Sequence, residues 1–226
     1  MTDSEAHIAP DFNKNNIDPK IVSRLPRIPK AAKFQNAKLI GSGLHSKVYS
    51  VSVTYRKKTI AAVLKVFSEE RWKENFEPEV HAYEFLAHFS VSGVIPIAYG
   101  YGDDWTNERF RREVLGDTIL HRTSALESPV FVILLEYVAE SAQLSPDNID
   151  WKICKETLRG LCLIHSAQVL HRDIAERNIL VVPSLGRVVW IDFSISWVNP
   201  SEMEAWDESK LAESILYHRL VYCFPW

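Results

Sequence analysis

The chain has 226 residues, which is enough for one large domain or two small ones. Hydrophobic residues make up 46% and charged residues 24%, as is usual for a soluble globular protein with a core. The formal net charge of −3 gives no electrostatic reason to expect nucleic acid or an anionic membrane as the main partner. The most apolar run, VFVILLEYV, is far too short to cross a bilayer and contains Glu136.

Residues 1–30 are predicted to form a flexible leader with no apolar signal core. Four prolines discourage regular structure there (Pro10, Pro19, Pro26 and Pro29). The three cysteines show no metal-binding or disulfide spacing, and Cys154 and Cys162 fall in an apolar helical segment as expected core residues. A reducing compartment fits best, so we expect the cytoplasm, with the nucleus as the alternative.

The next hundred residues alternate strand and helix patterns. Residues 37–67 read as two strand-forming runs around a Gly-Ser-Gly turn and a third run ending in AAVLKVF. Residues 68–89 have a helical pattern, with Ser68 as the expected cap and Pro78 as an expected interruption. VIPIAYGYG predicts a strand, residues 103–128 a polar loop or small insertion, and PVFVILLEYV a buried strand.

The remaining residues are predicted to be mostly helical. Residues 149–168 place apolar side chains at helical spacing, residues 178–193 form a hairpin that turns at PSLG, and residues 202–220 form a last helix. This order predicts an α+β fold with a sheet-rich first half and a helical second half.

Two motifs of the first half suggest phosphate binding. Gly41 and Gly43 lie between strand runs, where backbone amides can approach phosphate oxygens without obstruction by a Cβ. An ordinary hairpin turn is the alternative for this motif. Lys65 lies in a strand with a buried pattern, although a strand lysine can also extend its side chain to solvent.

The stretch HRDIAERNILV is more specific. Asp173 and Asn178 lie five residues apart just before a strand, and Asp192 follows the second strand of the hairpin. Asn178 and Asp192 together would supply the hard oxygen ligands that Mg²⁺ prefers, which leaves Asp173 free to accept a hydroxyl proton. A loop closed by an Asp–Arg pair would account for Asp173 but not for the other two residues.

These motifs, in this order, resemble the protein kinase-like superfamily from about Lys33 to Trp197. The resemblance implies a two-lobed fold, with an N-lobe over residues 31–138 and a reduced C-lobe over residues 139–226. It also implies ATP and Mg²⁺ as cofactors. The compact chain is similar to small fungal kinase-like proteins and to the atypical small kinase associated with tRNA threonylcarbamoylation.

The resemblance assigns further roles. Gly41, Ser42, Gly43 and Ser46 match the phosphate-covering loop, and Lys65 matches the lysine that holds the α- and β-phosphates. Leu135 would be the gatekeeper, and the backbones of Glu136 and Val138 would bind adenine. The implied cofactor site also includes Val48, Val63 and Leu180. Asp173 matches the catalytic aspartate, and Asn178 and Asp192 match the metal ligands.

A kinase also needs a helix glutamate beside the lysine. Glu79 shares a helical face with Tyr83 and Leu86, whereas Glu84 falls on the polar face with two histidines, so Glu79 is the predicted partner. The loop is similar to the HRDLAARN loop of tyrosine kinases, which implies that Arg177 neutralises the transferred phosphoryl group. A surface salt bridge with Glu176 or another acid is the alternative for Arg177.

The chain also departs from the family pattern. Ser194 replaces the glycine of the DFG triplet, and only 34 residues follow Asp192, with no APE motif. In similar compact chains an aspartate of a short final helix braces the catalytic loop, and Asp207 is the candidate, with a helix cap as its alternative.

We therefore expect ATP- and Mg²⁺-dependent phosphoryl transfer to a hydroxyl of a protein or a small molecule, without a nucleic-acid or membrane partner. The alternatives are a pseudokinase or ATP-binding scaffold, and an ATPase acting within a complex.

Overall fold

The first half of the chain builds a five-stranded antiparallel sheet with one long helix packed against it. The computed structural model describes residues 22, 24–44, 46–67, 73–115 and 129–223. The strands are β1 (Lys33–Ser42), β2 (Lys47–Tyr55), β3 (Lys58–Phe67), β4 (Ala98–Thr106) and β5 (Pro129–Glu136), and the helix is α1 (Lys73–His88). Their spatial order is β1-β2-β3-β5-β4. Val51 and Val53 on β2, with Leu64 on β3, alternate with less buried residues, because successive side chains point to opposite faces.

The second half is mainly helical, with short strands around the loop of interest. After β4 come a short helix, α2 (Asn107–Phe110), and a π-helical turn, Arg111–Leu115. The later elements are β6 (Ala142–Gln143), α3 (Trp151–Ser166), β7 (Val169–Leu170), β8 (Ile179–Val182), β9 (Arg187–Trp190), β10 (Trp197–Val198) and α4 (Glu202–Cys223). β6, β8 and β9 form one small sheet, and β7 pairs with β10. The predicted two-lobed α+β fold is confirmed.

The helix α3 supports the loop that contains Asp173. Asp150 caps its first turn by accepting a hydrogen bond from the Ile153 amide at 2.7 Å. Its buried face packs on β9, where the indole of Trp190 is fully buried and donates to the Thr157 carbonyl at 3.1 Å. Cys154 lies in this core, as predicted, while Cys162 is only half-buried.

The N-terminal segment is packed where a flexible leader is predicted. Of residues 1–30 the structure describes Val22 and residues 24–30, and Val22, Leu25 and Ile28 are buried. Residues 26–28 run beside β4: the Ile28 amide donates to the Tyr101 carbonyl, and the Tyr101 amide donates to the Pro26 carbonyl. This part of the leader therefore belongs to the folded domain, because its apolar side chains enter the core.

Two local predictions differ from the structure. Pro78 lies inside a continuous α1 instead of interrupting it, because burial of Phe76, Val80 and Tyr83 outweighs the one hydrogen bond that proline cannot donate. The predicted loop or small insertion at residues 103–128 begins as strand, since β4 continues to Thr106 and buries Trp105, and it continues as the helical turns of residues 107–115. Residues 68–72 and 116–128 lie outside the described residues. Within the described part of the chain, no helix is long and apolar enough to span a membrane.

Candidate active site

A cleft of about 570 Å³ opens between the five-stranded sheet and the helical half. Apart from Asp173, all the predicted site residues line it: Gly41, Ser42, Gly43, Ser46, Val48, Val63, Lys65, Glu79, Leu135, Glu136, Val138, Arg177, Asn178, Leu180 and Asp192. Asp173 itself is hydrogen-bonded to Arg177 and Asn178. The structure thus brings together residues that are separated by more than a hundred positions in sequence.

The roof and the back of the cleft come from strands of the first sheet. The turn between β1 and β2 is closed by a 2.9 Å hydrogen bond from the Gly43 amide to the Ser46 carbonyl. At the end of β5, the Glu136 carboxylate accepts from the Ile97 amide at 3.1 Å and pairs with Arg187 on β9 at 3.5 Å. This pair ties the end of the sheet to the helical half and fixes the back of the cleft.

Lys65 forms two ion pairs in the cleft. Its ammonium lies 2.5 Å from a Glu79 carboxylate oxygen and 2.6 Å from Asp192 Oδ1. The lysine side chain is 6% exposed and the Glu79 side chain fully buried. Glu84 lies elsewhere and accepts a hydrogen bond from the Leu25 amide at 3.0 Å. The structure therefore places Glu79, not Glu84, against the lysine.

In this triad, the pKa of each group is shifted by the charge of at least one of the other two. Burial lowers the pKa of Lys65, but the carboxylates of Glu79 and Asp192 outweigh it, so the net pKa is raised and the lysine stays cationic. Burial also acts to raise the pKa of Asp192, yet Lys65 dominates and holds that pKa at about 2. For Glu79 burial prevails and raises the pKa, with Lys65 opposing the rise. Asp192 is thus firmly ionised.

The loop between β7 and β8 presents Asp173. Both of its carboxylate oxygens accept hydrogen bonds from Arg177 Nη2, at 2.6 and 2.7 Å. Asn178 Nδ2 donates to the Asp173 carbonyl at 2.9 Å and to Oδ2 at 2.8 Å. The salt bridge of Arg177 is therefore with the predicted catalytic aspartate and not with an unrelated surface acid.

The protein kinase domain family model matches residues 34–210. The match contains the glycine turn, Lys65, Asp173, Asn178 and Asp192, which the structure has placed in and around one cleft. The chain belongs to the protein kinase domain family.

Curated relatives of this kinase domain are similar at low identity. Protein kinase gsk3 of Schizosaccharomyces pombe is 26% identical over 168 residues, which are 73% of this chain and 39% of that protein. Mitogen-activated protein kinase p38a of Drosophila melanogaster is 24% identical over 172 residues, 75% of this chain and 43% of that protein. Extracellular signal-regulated kinase 1 of Dictyostelium discoideum is 26% identical over 151 residues, 66% of this chain and 26% of that protein. The chain spans less than half the length of these relatives.

A magnesium ion fits the donor atoms of this kinase domain. Since the amino group of Asn178 is engaged by Asp173, its amide oxygen is the atom left to bind a cation. Asp192 contributes an ionised carboxylate, of which only Oδ1 contacts Lys65. Both side chains line the cleft. Hard oxygen donors of this kind suit Mg²⁺.

Glu208 on α4 supports the start of the loop between β7 and β8, which contains Asp173 and which we call the catalytic loop. One carboxylate oxygen accepts from the His171 amide at 3.0 Å and lies 2.6 Å from His165 Nε2, while the other accepts from the Arg172 amide. Burial acts to raise the pKa of Glu208, but these hydrogen bonds prevail and lower it. The carboxylate is therefore an ionised brace for the residues just before Asp173.

The prediction that Asp207 braces this loop is wrong. Asp207 is exposed, while the adjacent Glu208 is buried and makes the contacts. Ala205, Glu208, Ala212 and Leu216 form the buried face of α4, and successive residues of a helix point about 100° apart. The helix rotation, which is set by packing on α3, decides which of the two acids turns inward.

Three buried rings connect α1 to the catalytic loop. The Tyr83 and Phe193 rings lie 5.4 Å apart between centroids, and the Phe193 and His171 rings lie 4.7 Å apart. Burial lowers the pKa of His171, and the hydrogen bonds of this histidine require the neutral ring. Its Nδ1 accepts from the Asp173 amide at 3.3 Å, so Nε2 carries the proton that is donated to the Ile191 carbonyl at 2.9 Å.

Sequence reasoning missed the supporting residues His165 and Glu208. Their contacts join residues 43 positions apart, and a pattern of local spacing carries no information about such a pair. The only available signal was that both are polar residues at apolar positions of helices: His165 is at position i+4 from Leu161 on α3, and Glu208 is at i+3 from Ala205 on α4.

Proposed function

We propose that this kinase domain transfers the γ-phosphoryl group of ATP to a hydroxyl group in a magnesium-dependent reaction. The observation that carries the proposal is Lys65, held between Glu79 and Asp192 in the cleft that also contains Asn178. A buried ammonium fixed by two carboxylates is ready to bind phosphate oxygens without rearranging its surroundings.

Each residue then has a defined task. Lys65 orients the phosphates, and Asp173 accepts the proton of the acceptor hydroxyl as its oxygen bonds to phosphorus and the bond to the β-phosphate oxygen breaks. ADP leaves. Asn178 and Asp192 would hold Mg²⁺, which when bound neutralises charge on the phosphates.

Arg177 is proposed to exchange partners during this reaction. In the structure its side chain is 64% exposed and its guanidinium pairs with Asp173 at the cleft. Charge gathers on the oxygens of the transferred phosphoryl group, and a planar guanidinium can hold two of them. Moving from the carboxylate to the phosphoryl group would also release Asp173 to accept a proton.

The proposed acceptor is a serine, threonine or tyrosine hydroxyl of a protein. Support comes from relatives such as serine/threonine-protein kinase STE20 of Candida glabrata, which is 27% identical over 157 residues. Those residues are 69% of this chain but 15% of that protein, so a small-molecule alcohol is tested alongside proteins.

The test measures phosphate transfer from radiolabelled ATP to generic proteins and to a panel of alcohols, with Asp173→Asn as the inactive control. In parallel, ATP should raise the melting temperature more with Mg²⁺ than without it, because binding to the native state stabilises that state. Asp192→Ala should remove the magnesium-dependent part of this shift.

The outcomes separate the candidate functions. Magnesium-dependent binding without transfer to any acceptor identifies an ATP-binding pseudokinase. Release of free phosphate without transfer identifies an ATPase. A melting temperature that ATP leaves unchanged, with and without Mg²⁺, contradicts the proposal at its first step.

A further inference from the structure

Charge is distributed very unevenly along this chain. Residues 20–67 contain 11 lysines and arginines and no aspartate or glutamate, so the remaining residues carry 15 basic and all 29 acidic side chains. The net charge of −3 is thus an average over a strongly basic segment and a strongly acidic remainder. Such asymmetry suggests a polyanionic partner for the basic segment.

Five of these cations lie along strand β1 and at the β2–β3 turn, and we call them the hairpin patch: Lys33, Lys38, Arg56, Lys57 and Lys58. All five are exposed. Arg56, Lys57 and Lys58 follow one another at the β2–β3 turn, and Lys33 is paired with Thr54, two residues before that turn. None of the five forms an ion pair with a residue that the structure describes.

The backbone of the turn is unfavourable for the residues it contains. Arg56 and Lys57 form a two-residue hairpin loop with φ values of 47° and 66°. Loops with two positive φ angles strongly prefer Asn-Gly, because most other side chains are strained in that region. Keeping two cations at these positions is expected to cost stability, and backbone angles of this kind suggest a function.

The chemistry of the adjoining sheet face narrows the class of partner. Lys33, Gln35 and Lys38 on β1 are paired with Thr54, Ser52 and Ser50 on β2, so these six side chains lie on one face. Lysine, glutamine, serine and threonine are the residue types that contact nucleic-acid phosphates. None of these six side chains is a large apolar anchor of the kind that centres protein–protein interfaces or inserts into lipid.

From these observations we infer that the hairpin patch binds the phosphate backbone of a nucleic acid, without reading its sequence. At about 3.3 Å per residue along β2, the β2–β3 turn with Arg56, Lys57 and Lys58 lies roughly 26 Å from the glycine turn, whereas Lys38 is paired with Ser50 and lies three residues from Gly41. A nucleic acid bound at the β2–β3 turn lies away from the glycine turn, so the patch adds a docking function to the kinase domain.

The cations of the hairpin patch could instead serve to keep the edge of the sheet from pairing with other chains, but this explains only some of them. Strand β1 is a sheet edge, and lysines and bulges on edge strands prevent pairing with other chains. This explains Lys33 and Lys38. It does not explain three consecutive cations in a strained turn, or the lack of any acidic residue over residues 20–67.

The test measures binding of a fluorescent duplex DNA of about 20 base pairs, by anisotropy, as a function of salt concentration. If the five cations each neutralise one phosphate, the logarithm of the association constant should fall with the logarithm of salt concentration with a slope of about −4 to −5.

The decisive variant is Arg56→Asn/Lys57→Gly, because it removes two cations while giving the turn its preferred sequence. We expect an equal or higher melting temperature. The salt slope should become shallower by about 2, and the dissociation constant near 0.1 M salt should rise on the order of 10- to 60-fold. A second variant, Lys33→Gln/Lys38→Gln, changes residues of β1 outside the turn and should weaken binding similarly. It is used as the test if the first variant proves less stable than the parent.

The matched control is Lys73→Gln/Arg159→Gln, which removes two other exposed cations, 54% and 55% exposed, from outside the patch. Binding of this variant should stay within about threefold of the parent. An equal loss in the control would show attraction by overall charge and would overturn the inference. It would also be overturned by a salt slope near zero, or by patch-dependent binding of anionic vesicles or a poly-glutamate peptide in place of DNA.

Discussion

Glu208 offers a sharp test of how the catalytic loop is held. Glu208→Ala removes the acceptor of the His171 and Arg172 amides and of the buried His165 ring. A buried donor left without a partner costs about 1–3 kcal/mol. Allowing for water that enters the space of the lost side chain, we expect a destabilisation of about 3–5 kcal/mol.

Asp207→Ala is the matched control, since it removes the neighbouring acid, which is exposed. Surface substitutions of this kind usually change stability by less than about 0.5 kcal/mol. Glu208→Asp should fall between the two, because its carboxylate is one methylene further from both amides.

Urea denaturation monitored by tryptophan fluorescence measures these differences, and thermal melting provides a second readout. For a chain of this length 1 kcal/mol corresponds to about 2–4 °C, so Glu208→Ala should melt roughly 10 °C lower than the parent. A loss below about 1 kcal/mol in Glu208→Ala, or an equal loss in Asp207→Ala, would refute the bracing role.

The remaining predictions concern the cleft and its pH dependence. Glu79→Ala should lower turnover strongly in steady-state kinetics, because Lys65 loses its buried partner. Glu84→Ala should lower stability slightly and leave turnover nearly unchanged. The reverse ranking of the two variants would show that the helical face was misassigned. Arg177→Ala should lower kcat on the order of 10²-fold with little change in ATP affinity, and Arg177→Lys should recover part of the rate. If turnover of Arg177→Ala stays within threefold of the parent, Arg177 has no catalytic role beyond its ion pair with Asp173. His171 has a lowered pKa in the folded state, so below its ordinary value of 6.5 the unfolded chain binds a proton that the folded chain does not. His171 should therefore destabilise the folded state as the pH drops from 7 to 5.5, while the raised pKa of Glu79 acts in the opposite direction in both proteins. The melting temperature of His171→Gln should therefore rise relative to that of the parent over that range, and a constant difference between the two melting temperatures would contradict the prediction.

The sequence by itself determined the order of the elements and the nature of the cleft. Strands around Gly41 and Gly43 follow from alternating apolar residues, and α3 follows from apolar residues at helical spacing. Asp173 and Asn178 lie in one short continuous segment, so their spacing and the resemblance of that segment to the kinase family together predicted their roles. Lys65 in an apolar strand and Asp192 just after one were assigned through the resemblance, because each alone has an ordinary structural alternative.

Only the tertiary structure decided which side chains support those residues. Pattern reasoning chose Asp207 where packing turns Glu208 inward, and it predicted a flexible leader where Val22 and Leu25 enter the core. Both errors have one physical cause. Periodicity tells which residues of an element can be buried together, but the partner surface fixes the rotation of a helix and the docking of a proline-rich segment. That surface is made by residues distant in sequence, such as His165 for α4 and Glu84 for the segment at Leu25, and it exists only once the chain has folded.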